Sequence, residues 1–174
     1  MIKKILFILS LATMSILMVA CANGQKKNQE KLEKESPAGQ ALFSPDKNYQ
    51  VKTFQRSGEK GTVSLLRVEF EGQDVKAFAF TDMVPIDSKT SKEEQEKYAF
   101  EFESSIGNLK GVEPRGEVKE DSYYLTYVVY TDKVDWKEMA ESSLFSGLVK
   151  PNQEGLTLEH IENYAKELKF QEIK

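Results

Sequence analysis

The sequence is poor in the residues that usually carry catalysis, metal binding and cross-linking. Its 174 residues include one cysteine, Cys21, and one histidine, His160. A single cysteine excludes an intrachain disulfide, so the core must hold by packing alone. A zinc site normally needs two or more nitrogen or sulfur ligands, and a catalytic triad needs a histidine base beside its nucleophile. The composition therefore argues against both kinds of site.

The chain also lacks an excess of positive charge. It has 24 basic and 28 acidic residues, which gives a formal net charge of −4. Loss of residues 1–20, which carry Lys3 and Lys4, would leave 22 basic against 28 acidic residues and a net charge of −6. An acidic domain without a basic stripe argues against binding nucleic acid and against lying flat on anionic lipid. We therefore expect no nucleic-acid partner.

No apolar run is as long as a membrane-spanning helix usually requires. The longest covers residues 5–20, contains three hydroxyl residues among its 16 positions, and follows two lysines. A membrane-spanning helix needs about 20 apolar residues. Two lysines, a short apolar stretch and a small residue at its end are typical of a secretory signal peptide. Residues 1–20 are therefore predicted to be a signal peptide, with a transmembrane anchor as the alternative.

The lone cysteine stands where this apolar run ends. The stretch "LMVAC", residues 17–21, resembles the lipobox of bacterial lipoproteins. In a lipobox a leucine-like residue lies three positions before the cysteine, here the less usual Met18, and a small residue lies just before it, here Ala20. The resemblance implies that the Cys21 thiol takes a diacylglyceryl group and that a peptidase cuts before it. The alternative is an unmodified thiol near a signal-peptidase site.

Residues 21–47 are predicted to be a lipidated cysteine followed by a disordered tether. They are rich in lysine, glutamate and glutamine and have too few apolar side chains to offset the entropy of ordering. About 25 flexible residues reach roughly 28 Å, and two or more acyl chains give a stable anchor. We therefore expect the cell membrane as the location, with the domain on the extracellular face, or on the periplasmic side in a Gram-negative cell.

Residues 48–174 are predicted to form one α+β domain. Period-two alternation indicates strands, and Ser91, Asp135 and Thr157 are predicted helix N-caps. The order βββ-α-ββ-α-α, with a short strand at the end, predicts an antiparallel β-sheet with helices packed mainly on one face. The expected elements are strands at 48–57, 62–72 and 75–84, a helix from 91 to about 106, a hairpin of 112–119 and 123–131, helices after 135 and 157, and an edge strand within 169–174.

Several segments of this domain resemble a known family. They are "FTDMVPI", "SIGNLKGVE", "YVVYTDKVDWKEM" and "LTLEHIENYAKELKFQEI". In these segments and their order, residues 53–174 are similar to the YehR-like bacterial lipoproteins, a family whose domain has no assigned function. The resemblance implies an α+β fold and a lipid anchor, and it brings no catalytic residues. The loop at residues 146–155 looks longer or more variable than is usual in such proteins.

Three polar groups fit structural roles better than chemical ones. By helical spacing, His160 lies on the outer side of the last helix. Asp132 and Asp135 fit a turn and an N-cap, since they lack the glycine-bearing loop typical of calcium sites. The glutamates of residues 92–97 fit the first turn of a helix, where the helix dipole favours them. We therefore predict no catalytic residue, no metal and no cofactor.

The strand at residues 123–131 carries large side chains on both faces. Tyr124 and Tyr130 share one face with Thr126 and Val128. A sheet covered by helices on one side needs only one apolar face, so the second face is a candidate platform for a glycan or a peptide, centred on Tyr124 and Tyr130. The alternative is that tyrosine is simply a good strand residue whose hydroxyl reaches water.

The function that the sequence favours is that of a lipid-anchored envelope lipoprotein. Its domain is expected to be monomeric and non-catalytic, and to bind or scaffold an envelope protein, peptide or glycan. The alternative is an envelope enzyme that uses carboxylates and tyrosines. A third interpretation assigns a role to the discarded leader, since fragments of such leaders act as peptide signals in some bacteria.

Overall fold

The computed structural model describes residues 48–106 and 108–173. The elements follow the predicted order, and their bounds differ from the predicted ones by a few residues at most. They are β1 (Gln50–Ser57), β2 (Val63–Glu71), β3 (Asp74–Pro85), α1 (Lys92–Ile106), β4 (Val112–Lys119), β5 (Ser122–Tyr130), α2 (Trp136–Glu141), α3 (Leu158–Glu167) and β6 (Gln171–Ile173), with single 3₁₀ turns at Glu59–Gly61 and Ser143–Phe145.

The strands of the described residues form one antiparallel sheet in the order β4-β5-β3-β2-β1-β6. The first three strands make the predicted meander, and β5 joins it by pairing with β3, with Phe80 opposite Tyr127. β6 pairs with β1 at the other edge and brings the C-terminal strand beside the first one. The α+β class and the antiparallel sheet are thus confirmed.

The predicted helix caps are present. The Ser91 backbone N–H donates to Glu94 Oε2 at 2.9 Å, and the Glu94 N–H donates to Ser91 Oγ at 3.3 Å, which is a reciprocal capping box. The Asp135 carboxylate accepts from the two backbone N–H groups of Lys137 and Glu138, at 3.0 and 3.1 Å. Thr157 Oγ1 accepts from the backbone N–H of residue 160 at 3.2 Å. Each cap satisfies amide groups that the first helical turn leaves free.

The main hydrophobic cluster lies on the face of the sheet that carries α2 and α3. Phe78 packs edge-on against Phe145 of the 3₁₀ turn, with ring centroids 6.4 Å apart. The predicted inner face of the last helix is correct, because Leu158, Ile161 and Ala165 are buried in this cluster. The helices therefore cover one face of the sheet, as the sequence predicted.

A second, smaller cluster of buried side chains lies on the opposite face. It consists of Val63, Leu65, Ala79, Met83, Tyr124 and Val128. None of the three described helices packs on this face, so its burial does not come from them. The sheet carries apolar side chains on both faces, which explains the near-continuous apolar runs of β2 and β3.

The first helix, α1, turns the predicted side to the sheet, but its most buried residue is one that was not predicted. Of the predicted core face, Tyr98 packs on Tyr123, Ile106 packs against the main cluster, and all three side chains are partly buried, whereas Ala99 is buried. The reason is that α1 lies over the edge strand β4 and approaches it at Gly116, where a Cβ atom would lie 2.3 Å from the Ala99 carbonyl oxygen. Ala99 therefore faces the strand at the point of closest approach.

Candidate functional site

The predicted lipidation site lies outside the described residues. This holds for Cys21, for the predicted signal peptide at 1–20 and for the predicted tether at 21–47. Within residues 48–106 and 108–173, no helix is both long and apolar enough to span a membrane.

The two tyrosines of the predicted ligand platform do not form an open surface. Tyr124 is 1% exposed and belongs to the second cluster, and Tyr130 packs against that cluster. The Nζ atoms of Lys119 and Lys133 lie 5.4 Å and 4.3 Å from the centroids of the Tyr124 and Tyr130 rings. Tyr124 is thus buried and Tyr130 is half-buried, and a role for the two tyrosines in binding a ligand stays a prediction.

The other polar groups weighed from the sequence belong to separate local structures. His160 borders a shallow groove of about 300 Å³ together with Lys150, Tyr164 and Glu167. Asp135 is engaged as a helix cap, and Asp132 is exposed in the turn before it. In the part of the chain that the structure describes, no three His, Cys, Asp or Glu residues lie close enough together to hold a metal ion.

The sheet instead brings together three polar residues that the sequence analysis did not single out. In the strand register Arg56 is opposite Ser64, and Ser64 is opposite Asp82. Side chains at directly opposed positions of neighbouring strands point to the same face. The three residues therefore form a row across β1, β2 and β3 on the helix-bearing face. We call this row, together with the Tyr98 ring beside it, the Asp82 site.

Asp82 is the centre of this site. Its Oδ1 atom accepts a hydrogen bond from Ser64 Oγ at 2.5 Å, and Ser64 is 1% exposed. Among the described residues the side-chain hydrogen bond to the Asp82 carboxylate comes from Ser64 and goes to Oδ1. Asp82 as a whole remains partly accessible, whereas Ser64 below it does not. The second carboxyl oxygen is thus the group that the site can offer to a ligand.

Burial raises the pKa of the Asp82 carboxyl above its ordinary value, because a charge is less well solvated there than in water. The hydrogen bond from Ser64 and the positive charge of Arg56 act in the opposite direction and lower the pKa. Burial is the largest of the three effects. The surroundings of Asp82 therefore stabilise its ionised form less well than water does.

Arg56 is held beside this carboxyl by contacts with the end of α3 and the turn after it. Its Nη1 donates to the Leu168 carbonyl oxygen at 3.4 Å, and its Cζ lies 4.9 Å from the centroid of the Phe170 ring. Its Nε atom is buried and has no hydrogen-bond partner in the structure. A buried donor without a partner is uncommon in folded proteins. The site therefore has an unpaired buried donor on the same sheet face as the Asp82 carboxyl.

Aromatic rings surround the row on two sides. Tyr98 of α1 packs on Tyr123 with ring centroids 4.7 Å apart, and Phe80 stacks on Tyr127 at 5.4 Å. Burial raises the pKa of Tyr98 and raises that of Tyr127 well above the ordinary value, and the negative charge of Asp82 adds to both. Both phenols therefore stay protonated at neutral pH and can act as hydrogen-bond donors.

This arrangement offers a ligand polar groups of different kinds. The Asp82 carboxyl is partly accessible, whereas its hydroxyl neighbour Ser64 is almost fully enclosed, which keeps a ligand from it. The phenol of Tyr98 is the second titratable group of the site. What the site presents is an acceptor, a nearby donor and aromatic walls.

The signal for this site was present in the alternation of β2 and β3. Ser64 occupies the same phase as Leu66 and Val68, and Asp82 the same phase as Phe78 and Phe80. A polar side chain in the inward phase of a strand requires a partner, so it marks a candidate site. The alternation alone indicates strands, and the polar residues in its inward phase at positions 64 and 82 are the additional signal.

Comparison with known proteins identifies a fold. The described residues form an α+β domain with a YehR-like fold, a six-stranded antiparallel sheet with helices on one face. The particular structure that it resembles is the NMR structure of the YehR protein of Escherichia coli, with a TM-score of 0.60 and 21% sequence identity over 73% of this chain and 92% of that one. At this identity the likeness concerns the fold alone.

The other comparisons add little. An NMR structure of a protein from Streptococcus pneumoniae TIGR4 also resembles this chain, with a match that covers 94% of this chain and 98% of the other. The sequence identity is 10% and the TM-score is 0.49, which is too low to support an argument. No protein-family model and no curated protein matches the chain.

Proposed function

We propose that this chain is a lipid-anchored lipoprotein of the bacterial cell envelope whose domain binds a ligand at the Asp82 site without transforming it. Two independent observations support the two halves of the proposal. The anchor rests on Cys21, the only cysteine, which follows directly on a signal-peptide-like run and stands in a lipobox-like context. The binding role rests on Asp82.

The observation that carries the binding role is the unpaired buried donor of Arg56 on the same sheet face as the partly accessible carboxyl of Asp82. Arg56 Nε has no hydrogen-bond partner, and the side-chain hydrogen bond that Ser64 makes to Asp82 goes to Oδ1. The two side chains project from the same face, with strand β2 between them. Leaving the buried Arg56 donor unpaired costs free energy, and a ligand that accepts a hydrogen bond from it and donates one to Asp82 recovers that cost.

The alternative, an envelope enzyme, is favoured by one observation. The raised pKa of Asp82 and the nearby phenol of Tyr98 are a combination that active sites often contain. The two proposals differ in the fate of the ligand, which an enzyme releases chemically changed and a binding protein releases intact.

The anchor is tested by mass spectrometry of the protein extracted from cell membranes. We expect the mature chain to begin at Cys21 and to carry the mass of a diacylglyceryl group on its sulfur. A Cys21→Ala variant should lose the lipid and leave the membrane fraction. An unmodified thiol in membrane-extracted protein, or an intact leader, would refute the lipoprotein half of the proposal.

The binding role is tested with the mature chain immobilised and exposed to solubilised envelope material. We expect Asp82→Asn to weaken retention of the bound compound about tenfold to a hundredfold, which is the scale of one hydrogen bond to a charged group. Asp132→Asn is the matched control, because it removes an exposed carboxylate elsewhere. Tyr124→Ala and Tyr130→Ala test the predicted platform in the same assay.

The outcomes separate the proposals. Retention that is unchanged by Asp82→Asn and reduced by the tyrosine substitutions would move the ligand to the other face of the sheet. A compound that elutes from the wild-type chain with an altered mass, but intact from Asp82→Asn, would establish the enzyme instead.

A further inference from the structure

Helix α1 carries an apolar side chain that the fold leaves in solvent. Phe100 is 68% exposed, and it lies on the side of α1 away from Tyr98, which contacts the sheet. Ala99 is the only fully buried residue among the described side chains of this helix. A single exposed apolar residue is ordinary on a protein surface. The exposure of Phe100 therefore indicates a binding surface only if the neighbouring residues also favour one.

What lies beside Phe100 is a groove between α1 and the edge strand β4. Its volume is about 320 Å³, and it is lined by Glu96, Ala99, Phe100, Glu103, Gly116 and Val118. Few side chains fill the floor of the groove, because Gly116 has no side chain and the backbone of α1 lies against the strand there. The groove can therefore receive one aliphatic side chain against the Phe100 ring.

The backbone of the edge strand β4 is poorly suited to pairing with a further strand. The Gly116 backbone N–H donates to Glu103 Oε1 at 2.8 Å, and Pro114 has no N–H to offer. Occupied or missing donors are a common protection of edge strands. A partner at this edge must therefore use the groove and its side chains, not the backbone of β4.

The charges around the groove are mainly negative. Helix α1 contains five glutamates and two lysines, a net charge of −3. Lys97 lies 3.9 Å from Glu101, whereas Glu96, on the rim of the groove, has no ion-pair partner among the described residues. A basic partner is attracted to such a surface, and an anionic lipid headgroup is repelled by it.

We infer that this surface, Phe100 with the groove beside it, docks a basic segment of another protein. The segment places one aliphatic side chain in the groove against Phe100 and lysine or arginine side chains beside Glu96 and its neighbours. The surface is separate from the Asp82 site, so the inference does not depend on the proposed function.

The test is a titration of the isotopically labelled mature chain, carrying Cys21→Ala to prevent lipidation, with two synthetic amphipathic peptides. One peptide is built from leucine and lysine, and its partner has glutamate in place of every lysine. We expect the lysine peptide to shift the NMR signals of α1 and β4, to bind less tightly as salt is raised, and to outcompete the glutamate peptide at least tenfold.

Two substitutions locate the contact. Phe100→Ala should weaken the lysine peptide at least tenfold, and Glu96→Gln should weaken it about twofold to fivefold, since single exposed charges contribute little. Val51→Ala is the matched control, because Val51 is another large apolar side chain that is exposed, at 42%, and lies on β1. It should leave the affinity unchanged.

Three results would overturn the inference. The first is equal binding by wild type and Phe100→Ala, with the fold of the variant verified by circular dichroism. The second is equal binding of the two peptides. The third is Phe100-dependent binding of the same chain to vesicles of phosphatidylglycerol in the absence of peptide, which would assign the surface to the membrane.

Discussion

At the scale of the residue, Asp82 is a carboxyl whose pKa is raised by burial. It is an acidic side chain in the inward phase of a strand, with one hydroxyl partner in Ser64 and one nearby positive charge in Arg56. A buried carboxylate with several backbone donors is held ionised, whereas one with a single neutral donor is not. Asp82 belongs to the second kind, and its ionisation therefore works against folding.

The sign of the resulting pH dependence follows from the raised pKa. Because the folded state holds the Asp82 proton up to a higher pH than the unfolded chain does, lowering the pH through the folded pKa adds stability. The gain is complete below the unfolded value of about 3.8. At neutral pH the same residue lowers the free energy of unfolding.

We therefore predict that Asp82→Asn stabilises the protein at neutral pH. The amide removes the charge and keeps an oxygen that can accept from Ser64 Oγ, so the free energy of unfolding should rise above that of the wild type. Urea unfolding at neutral and at acid pH measures the effect, and the difference from wild type should shrink as the pH falls.

The control for this prediction is Asp132→Asn, in an exposed turn. It should change the free energy of unfolding by less than about 0.5 kcal/mol at either pH. A destabilising effect of Asp82→Asn at neutral pH would contradict the prediction. It would show that hydrogen bonds and charges in the folded state stabilise the ionised carboxylate by more than burial destabilises it. A variant that is more stable and binds less well would fit a residue kept for function at a cost in stability.

At the scale of the element, the contact between α1 and β4 depends on a missing side chain. A Cβ atom on Gly116 would meet backbone atoms of Ala99 at 2.3 to 3.0 Å. Backbone cannot rotate away as the end of a flexible side chain can. The approach of α1 to the sheet is therefore possible only with glycine at this position.

We predict that Gly116→Ala destabilises the protein by about 1 to 3 kcal/mol, the usual cost of overpacking. The helix must move outward, which also weakens the hydrogen bond between the Gly116 N–H and Glu103. Urea unfolding gives the stability, and hydrogen exchange of the α1 amides should show faster opening of this helix than of α3.

Gly58→Ala is the matched control for the Gly116 substitution. A Cβ at Gly58 would meet its nearest neighbour at 3.4 Å, in ordinary contact, and its φ of −98° suits any residue. This substitution should be neutral or slightly stabilising. A Gly116→Ala variant as stable as Gly58→Ala would contradict the close packing of α1 on β4.

A second prediction at this scale concerns the cap of α2. The Asp135 carboxylate accepts from two backbone N–H groups at the start of a six-residue helix, which is too short to persist without a cap and tertiary packing. Asp135→Ala should lower the free energy of unfolding by about 1 kcal/mol. Asp132→Ala, three residues earlier and exposed, should not; equal effects of the two would show that charge and not capping is responsible.

At the scale of the whole molecule, two hydrophobic clusters share one sheet. β2 and β3 contribute Leu66 and Phe78 to the main cluster and Leu65 and Ala79 to the second one. If β2 and β3 separated from one cluster, the side chains of the other cluster would become exposed as well. The described domain should therefore unfold as one cooperative unit.

This cooperativity can be measured with the only tryptophan, Trp136, which packs against the main cluster from α2. Its fluorescence follows the helix side of the sheet, whereas far-ultraviolet circular dichroism follows all elements together. We predict coincident urea transitions for the two signals. A fluorescence transition at lower urea would show that α2 and the main cluster open before the sheet does.

The local features of this fold were predictable from the sequence. The N-caps at Ser91, Asp135 and Thr157 depend on residues within one helical turn, and strand alternation depends on neighbours two positions apart. For the same reason the order of the elements, the antiparallel class and the inner face of α3 were correctly predicted. What was missed on α1 is the burial of Ala99, which depends on its close approach to Gly116, a residue distant in sequence.

What only the tertiary structure decided is which distant residues meet. The pairing of β3 with β5 and the row from Arg56 through Ser64 to Asp82 depend on strand order and register, which are set by packing across the whole sheet. The burial of Tyr124, which the sequence left open, is of the same kind. Local propensity determined the elements of this protein, and long-range packing determined where its unpaired polar atoms lie.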